Sequence, residues 1–571
     1  MSKEDAQSPV DDAVLRLKSQ RNSLSPICRI PDEILSEIYL LAKGSAYCGE
    51  DYLKDPFGWV RRFTHVCRHL RYFALNSPHL WSKGPWPLHN LEFLQEMLRR
   101  SNNIPLTIKV NLALSRNRTS GLKVLLEHNR RIKHLAVYMS LRDWEDLDVF
   151  PMLAPQLEHL SLSCRDARYS PIFALDDVFL TPTLRHLSLN GFSVNWDSQS
   201  PLGRGLISLT LRRLSDPLPT WNQIYNALHE MPNLEVLDLQ DAFQAEEASS
   251  SWDLPALNLH SLRKLVIGKC SVRDVEYFLS RVTFPSTAKV IITRCSNASF
   301  TDMRDDLPAF LARITQSISD ATNPNVFRTL IIKDRQRHFA CDDVCVRLFT
   351  ETLDDQEMLC NANVHPQLEL DLFWVHQRGE LTSEDSEGSI ISMVVTAIFE
   401  SGIGPLLHEV TNVYLGHLLQ PREVDFKLLD MLKDTIGQLR KVCHIVATQC
   451  WFRSLATVLI LGIERNEPES SRKPLYFPDL SELYPEKTND TFLLKSLHDC
   501  LVWRARASST SDEKVIFALW DNLGNKNLTE ESVEGATSLS NNENSDGDDS
   551  EDPESDDGIT VSSDEDYLDY M

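Results

Sequence analysis

No Lys or Arg follows Lys526, while sixteen Asp and Glu lie between Glu530 and Asp569. The net charge of −24 therefore falls to −8 over residues 1–526. A body that is only mildly acidic carries no basic stripe for a phosphate backbone, which argues against nucleic-acid binding. The twelve cysteines include no C-x-x-C pair, and the opening Met1-Ser2-Lys3-Glu4-Asp5 has no signal-peptide apolar run. The most apolar stretch of the C-terminal half, Leu455 to Ile463, is far too short to span a bilayer. Reduced thiols in the cytoplasm or nucleus, and no membrane partner, are the expectation. Catalytic signatures are absent as well: there is no Gly-rich phosphate loop, no His-Glu-x-x-His and no Gly-x-Ser-x-Gly. Gly402-Ile403-Gly404 is too short for a dinucleotide fingerprint. Cys341, Cys345 and His338 lack the spacing of zinc ligands. A chain without catalytic residues, cofactor or metal is expected.

Two patterns are present. The first runs from Ser25 to Trp81. Pro31 suits the opening of a helix, Asp32 and Glu33 suit its positive end, and Ile34, Leu35, Ile38 and Leu41 share a helical face. A second helix is predicted between Trp59 and Ala74, stopped by Ser77-Pro78, and the stretch Ala42 to Gly58 reads as a loop. So few short helices cannot bury all their apolar faces on each other, which points to a permanent partner.

The second pattern is Leu-x-x-Leu-x-Leu, at Leu157/Leu160/Leu162, Leu184/Leu187/Leu189, Leu206/Leu209/Leu211 and Leu234/Leu237/Leu239. Leu262/Leu265/Ile267 has the same form, and looser copies start at Ile132, Thr287, Phe327 and Val410. Between Leu135 and Val290 the middle residues are 25, 27, 22, 28, 28 and 25 apart. This period and phrase resemble leucine-rich repeats, in which short parallel strands line a curved sheet and helices cover the outside. After Cys295 the spacing widens, with strands predicted at Leu368 to Leu372 and Val442 to Val446. Helices are predicted at Ile390 to Phe399 and Phe426 to Ile436.

The Ser25–Trp81 pattern resembles the F-box. Ile30-Pro31-Asp32-Glu33-Ile34-Leu35 with Ile38 matches its first block; Val66-Cys67-Arg68, Arg71, Leu80 and Trp81 match the remainder. Leu70 replaces the usual Trp, and the linker is longer than usual. The resemblance is to fungal F-box proteins with leucine-rich repeats. It implies an α/β fold: an N-terminal helical F-box, an irregular repeat solenoid of parallel sheet with outer helices, and a disordered acidic C-terminal tail. The expected boundaries are an extension over 1–24, the F-box over 25–85 and the solenoid over 86–505. A linker able to hold a short helix follows over 506–528, then the tail over 529–571. The implied function is substrate recognition for a Skp–cullin–F-box ubiquitin ligase. Its partners would be the Skp adaptor, through it a cullin–RING ligase, and a target protein. The alternatives are a non-ligase repeat scaffold and an acidic-tailed binder of basic proteins.

Pro31, Ile34, Leu35, Ile38, Val66 and Trp81 are the expected adaptor contacts, some of which must instead form the module's own core. On the repeats, alternation along each strand turns the residues beside the second Leu away from the apolar layer. Stacking then aligns His134, His159 and His186 in one column, with Ser161 and Ser188 in the next. Tyr138, Asn190 and Arg212 fall in a third. This polar strip is the expected target-binding face, with affinity for an acidic segment rising below about pH 6.5. No acidic or Cys residue joins the His column by alternation, so no metal is expected there.

Overall fold

The structure, a computed structural model, describes residues 3–45, 58–84, 86–112, 119–147, 154–164, 174–175, 181–194, 196, 202, 204–214, 218–242, 255–295, 300–319, 326–334, 341–354, 364–375, 387–416, 426–461, 476–480, 482–486, 516–517, 519–520 and 526–527. All lie in the compact unit Met1–Leu528; the acidic segment Thr529–Met571 and His338 lie outside the described residues. The fold is mixed α/β, with one large, mostly parallel sheet and helices. Among the described residues no helix is long and apolar enough to cross a membrane.

The N-terminal part is helical: Lys3–Ser23 (α1), Asp32–Ser45 (α2), Gly58–Thr64 (α3), Arg68–Asn76 (α4), Pro78–Trp81 (α5) and Leu91–Arg100 (α6). Pro31 sits immediately before α2, and its carbonyl accepts the Leu35 N–H at 2.9 Å. Two expectations are corrected. The loop expected from Ala42 is helical through Ser45. The single helix expected from Trp59 to Ala74 breaks after Thr64. Cys67 is extended (φ −155°, ψ 168°) and caps α4, its Sγ accepting the Leu70 N–H at 3.5 Å.

Among the described residues, seventeen strands form the main sheet. Leu106–Asn111 (β1), Ile132–Met139 (β2), His159–Cys164 (β3), His186–Asn190 (β4), Ser208–Arg212 (β5), Val236–Gln240 (β6), Lys264–Gly268 (β7) and Lys289–Cys295 (β8) pair in parallel, in chain order. Their apolar residues fill one layer: Leu135, Leu160, Leu187, Leu209, Leu237, Leu265 and Val290 are all buried in the same cluster. Helices such as Trp221–His229 and Val272–Arg281 pack on that layer, each opened by a reciprocal Thr220/Gln223 or Ser271/Asp274 capping box.

One backbone device recurs where the chain leaves four successive strands. Gly191, Arg213, Asp241 and Lys269, each the first residue after its strand, all have positive φ. Their N–H groups donate across to Arg212, Gln240, Gly268 and Thr293 carbonyls at 2.8–3.0 Å. The ladder thus gains one rung beyond each strand. For the three non-glycine residues that rung offsets a left-handed conformation costing roughly 1–2 kcal/mol.

Chain order breaks after β8. Thr329–Asp334 (β9), Cys341–Phe349 (β10) and Leu368–Val375 (β11) form an antiparallel meander. Its last strand, not its first, pairs with β8. β9 then continues in parallel to Asn412–Gly416 (β12), His444–Thr448 (β13) and Glu482–Glu486 (β14). The Phe327 copy therefore does not stack on the Thr287 copy; the strand at Leu368 does. Within the expected 506–528 linker, the described residues Ile516–Phe517, Leu519–Trp520 and Lys526–Asn527 are short strands.

Candidate docking faces

The helical part sorts the predicted adaptor contacts into two sets. Leu35 is fully buried and Trp81 is 1 % exposed. They pack in one cluster with Tyr39, Leu70, Phe73, Ala74 and Leu80. Tyr39 stacks on Phe63 at 4.1 Å and meets Phe73 edge-on at 5.4 Å. The Trp81 indole N–H donates to the Ala74 carbonyl at 2.8 Å, and the Arg100 guanidinium lies 5.2 Å from its ring. Leu35 and Trp81 are therefore corrected from contact residues to core.

By contrast Ile34 is 54 %, Ile38 39 %, Leu41 71 % and Val66 63 % exposed, and Pro31 is exposed beside them in sequence. On α2 the offsets from Ile34 to Ile38 and Leu41 draw one outward apolar stripe, while Leu35 and Tyr39 draw the inward one. A helix with two apolar faces has one to spare. Tyr39 was not singled out in the sequence, although its offset of four from Leu35 is the signal that places it inside.

The strand columns align as expected. His134 pairs with His159, and His159 with His186. Ser161 pairs with Ser188, and Tyr138 with Ser163, then Asn190, then Arg212. The three imidazoles stack, with centroids 4.1 Å and 3.9 Å apart and planes within 22° and 5°. Burial holds all three below the ordinary histidine range; His159, with His186 and His134 on either side, is pulled down to about 4. Charging adjacent stacked rings costs Coulomb energy as well as hydration. The central ring therefore charges only near pH 4 and its two neighbours charge below the ordinary value, so the gain of anion affinity expected at about pH 6.5 is moved to lower pH.

The third column is largely committed to the protein itself. Asn190 is 8 % exposed, and its Oδ1 accepts from Arg213 Nε at 3.0 Å. Arg212 grips buried Asp238 through Nη2 at 2.6 Å and Nε at 3.2 Å, with Gln240 on the other carboxylate oxygen at 3.0 Å. Asn190 is corrected to a structural residue. His134, His159, His186, Ser161, Ser188 and Tyr138 remain partly exposed.

The same side of the sheet closes further along. Ile331, Tyr414, Val446 and Tyr484 form a second apolar cluster with Phe349 and Leu353. Lys333 and Asp343 are buried there, and the Arg347–Glu369 (2.9 Å) and His444–Glu482 (2.7 Å) pairs have little exposure on the Arg347, Glu369 and His444 sides. A sheet buried on both faces explains why these strands read as near-continuous apolar runs. The strands after Cys295 therefore offer no open counterpart of the histidine face among the described residues.

One functional group was missed in the sequence. Glu158 precedes the first ladder residue of β3, where strict alternation does not govern it. Its carboxylate lies with one nitrogen each of His134 and His159, all three atoms within 4.8 Å of one another. Lys133 pairs with it at 3.1 Å. No protein-family model matches the chain, and no curated protein is similar to it.

Proposed function

We propose that this chain is the substrate-recognition subunit of a Skp–cullin–F-box ubiquitin ligase. In this reading α2 to α5 form an F-box. Ile34, Ile38 and Val66, flanked by Pro31, contact the Skp adaptor. β1 to β8 with their outer helices form an irregular leucine-rich-repeat solenoid whose open polar side holds the target. The role is non-catalytic and needs no cofactor.

The observation that carries the reading is the division of apolar residues within the helical part. Leu35, Tyr39, Leu70, Phe73, Leu80 and Trp81 satisfy its core, yet Ile34, Ile38, Leu41 and Val66 remain in solvent. Leaving such side chains wet forgoes roughly 1.5–3 kcal/mol each relative to full burial, which a fixed apolar partner would recover. The Pro-Asp-Glu-Ile-Leu and Val-Cys-Arg phrases add the family resemblance.

The test is co-elution of the full chain with purified Skp adaptor and cullin. Replacing Ile34, Ile38 and Val66 together by Asp abolishes co-elution while circular dichroism is unchanged. Full adaptor binding by that variant refutes the assigned face. Adaptor binding without cullin moves the chain to a non-ligase scaffold, and loss of basic partners on truncation after Gly524 moves it to a tail-driven binder.

A further inference from the structure

We propose that His134, Glu158 and His159 form a binding site for a borderline divalent transition metal of the zinc class, with one coordination position open to solvent. The site stands independently of the ligase reading.

The placement is built into the sheet. His134 and His159 are direct partners in the parallel β2–β3 register, and their rings stack at 4.1 Å. Glu158 sits at the mouth of the same pair. Its N–H donates to the Lys133 carbonyl at 2.9 Å, and its own carbonyl accepts the Arg185 and His186 N–H groups at 2.8 Å and 3.0 Å. That backbone is therefore fixed on both sides. The three ligand atoms already converge within 4.8 Å. Tetrahedral zinc, with bonds of about 2.0–2.2 Å, needs donors about 3.3–3.5 Å apart. Side-chain torsions of three half-exposed residues cover that difference without moving the ladder. Stacked rings direct their in-plane lone pairs side by side, so ligation turns the His134 ring out of the stack, while His186, stacked at 3.9 Å and 5° on His159, keeps that ring in place.

The chemistry selects the ion. Two imidazoles and one carboxylate are the donor set of zinc, cobalt, nickel and copper; calcium and magnesium require six or more oxygens. Each imidazole offers a ring nitrogen to the site, and the Glu158 carboxylate supplies the anionic donor. Opposing charge is present, because Lys133, Lys109 and Lys83 also act on His134. The nearest, Lys133, is half-exposed and held to Glu158 by a surface pair at 3.1 Å. Such pairs contribute no more than about 1 kcal/mol, so a dication displaces the ammonium. Three protein ligands plus an open position is the arrangement that accepts water or an incoming side chain.

The full chain, stripped with chelator, is titrated with Co²⁺ and monitored by visible absorption, then with Zn²⁺ in competition. The expected result is one saturable equivalent with a nitrogen/oxygen-type spectrum, displaced by Zn²⁺ and unaffected by excess Mg²⁺ or Ca²⁺. Glu158→Gln, at a half-exposed side chain where the isosteric change leaves the backbone hydrogen bonds in place, weakens binding at least tenfold, as does His159→Ala. His229→Ala, at a histidine outside the column, has no effect. A cobalt–thiolate charge-transfer band, unchanged affinity in both site variants, or no saturable binding overturns the assignment.

Discussion

Replacing Trp81 by Ala is the sharpest test of the core assigned to the helical part, because the residue was expected at the adaptor contact yet lies inside. The substitution removes an indole that is 1 % exposed, its 2.8 Å hydrogen bond to Ala74 and the Arg100 contact. Buried Trp→Ala substitutions cost about 3–5 kcal/mol, hydrogen bond included. Leu35→Ala, at a fully buried site in the same cluster, costs about 2–5 kcal/mol. Ile34→Ala, one residue earlier but outward, changes stability by no more than about 0.5 kcal/mol. Global unfolding of so long a chain is not two-state, so local hydrogen exchange is the better assay. At about 1.4 kcal/mol per decade, Trp81→Ala speeds exchange across α2 and α4 by about two to nearly four decades, while Ile34→Ala leaves it unchanged. If Trp81→Ala preserved protection within about threefold yet lost adaptor binding, the indole would face outward and the core assigned here would be wrong.

Gly121 lies in the helix Thr119–Leu126, where an added Cβ would meet the Leu88 carbonyl oxygen at 2.4 Å and its Cα at 2.6 Å. Gly121→Ala gains up to about 1 kcal/mol of helix propensity but loses about 1–3 to overpacking against rigid backbone, so hydrogen exchange across Thr119–Leu126 speeds up. In chelator, acidification weakens the histidine column: folded pKa values below the ordinary 6.5 mean that the unfolded chain binds more protons between about pH 6.5 and 4. Stability is intact above that window and falls through it, and amide protection of β2 to β4, corrected for the intrinsic pH dependence of exchange, falls less for His159→Asn; parallel curves would contradict the coupling. The Cys28 and Cys67 sulfurs lie 3.9 Å apart and partly exposed, so mild oxidant joins them before Cys270 and Cys295. The latter sulfurs are 3.8 Å apart, but Cys295 is buried, and the shared thiol hydrogen bond with burial pushes the Cys270 thiol well up. Peptide mapping of the oxidised chain reads the order.

What the sequence determined by itself was whatever depends on local periodicity. The Leu-x-x-Leu-x-Leu phrase set the inward layer, and because side chains alternate along a strand it also set the columns His134–His159–His186 and Ser161–Ser188. The shared phrase, at intervals of 25 and 27 residues, was enough to stack those copies in register. Tertiary structure decided everything that depends on which face meets what. Ile34 and Leu35 are equally apolar, and only the packing of Tyr39 against Phe63 and Phe73 turns one inward and the other out. Asn190 looked like a surface residue until Arg213, held at positive φ just beyond β5, reached back to it. The meander β9–β11 reversed the order in which strands reach β8, because an antiparallel excursion is not written in a phrase that each strand carries alone. Glu158 joined the histidines for the same reason. It stands just outside the ladder, where alternation no longer fixes direction and the neighbouring strand's backbone does.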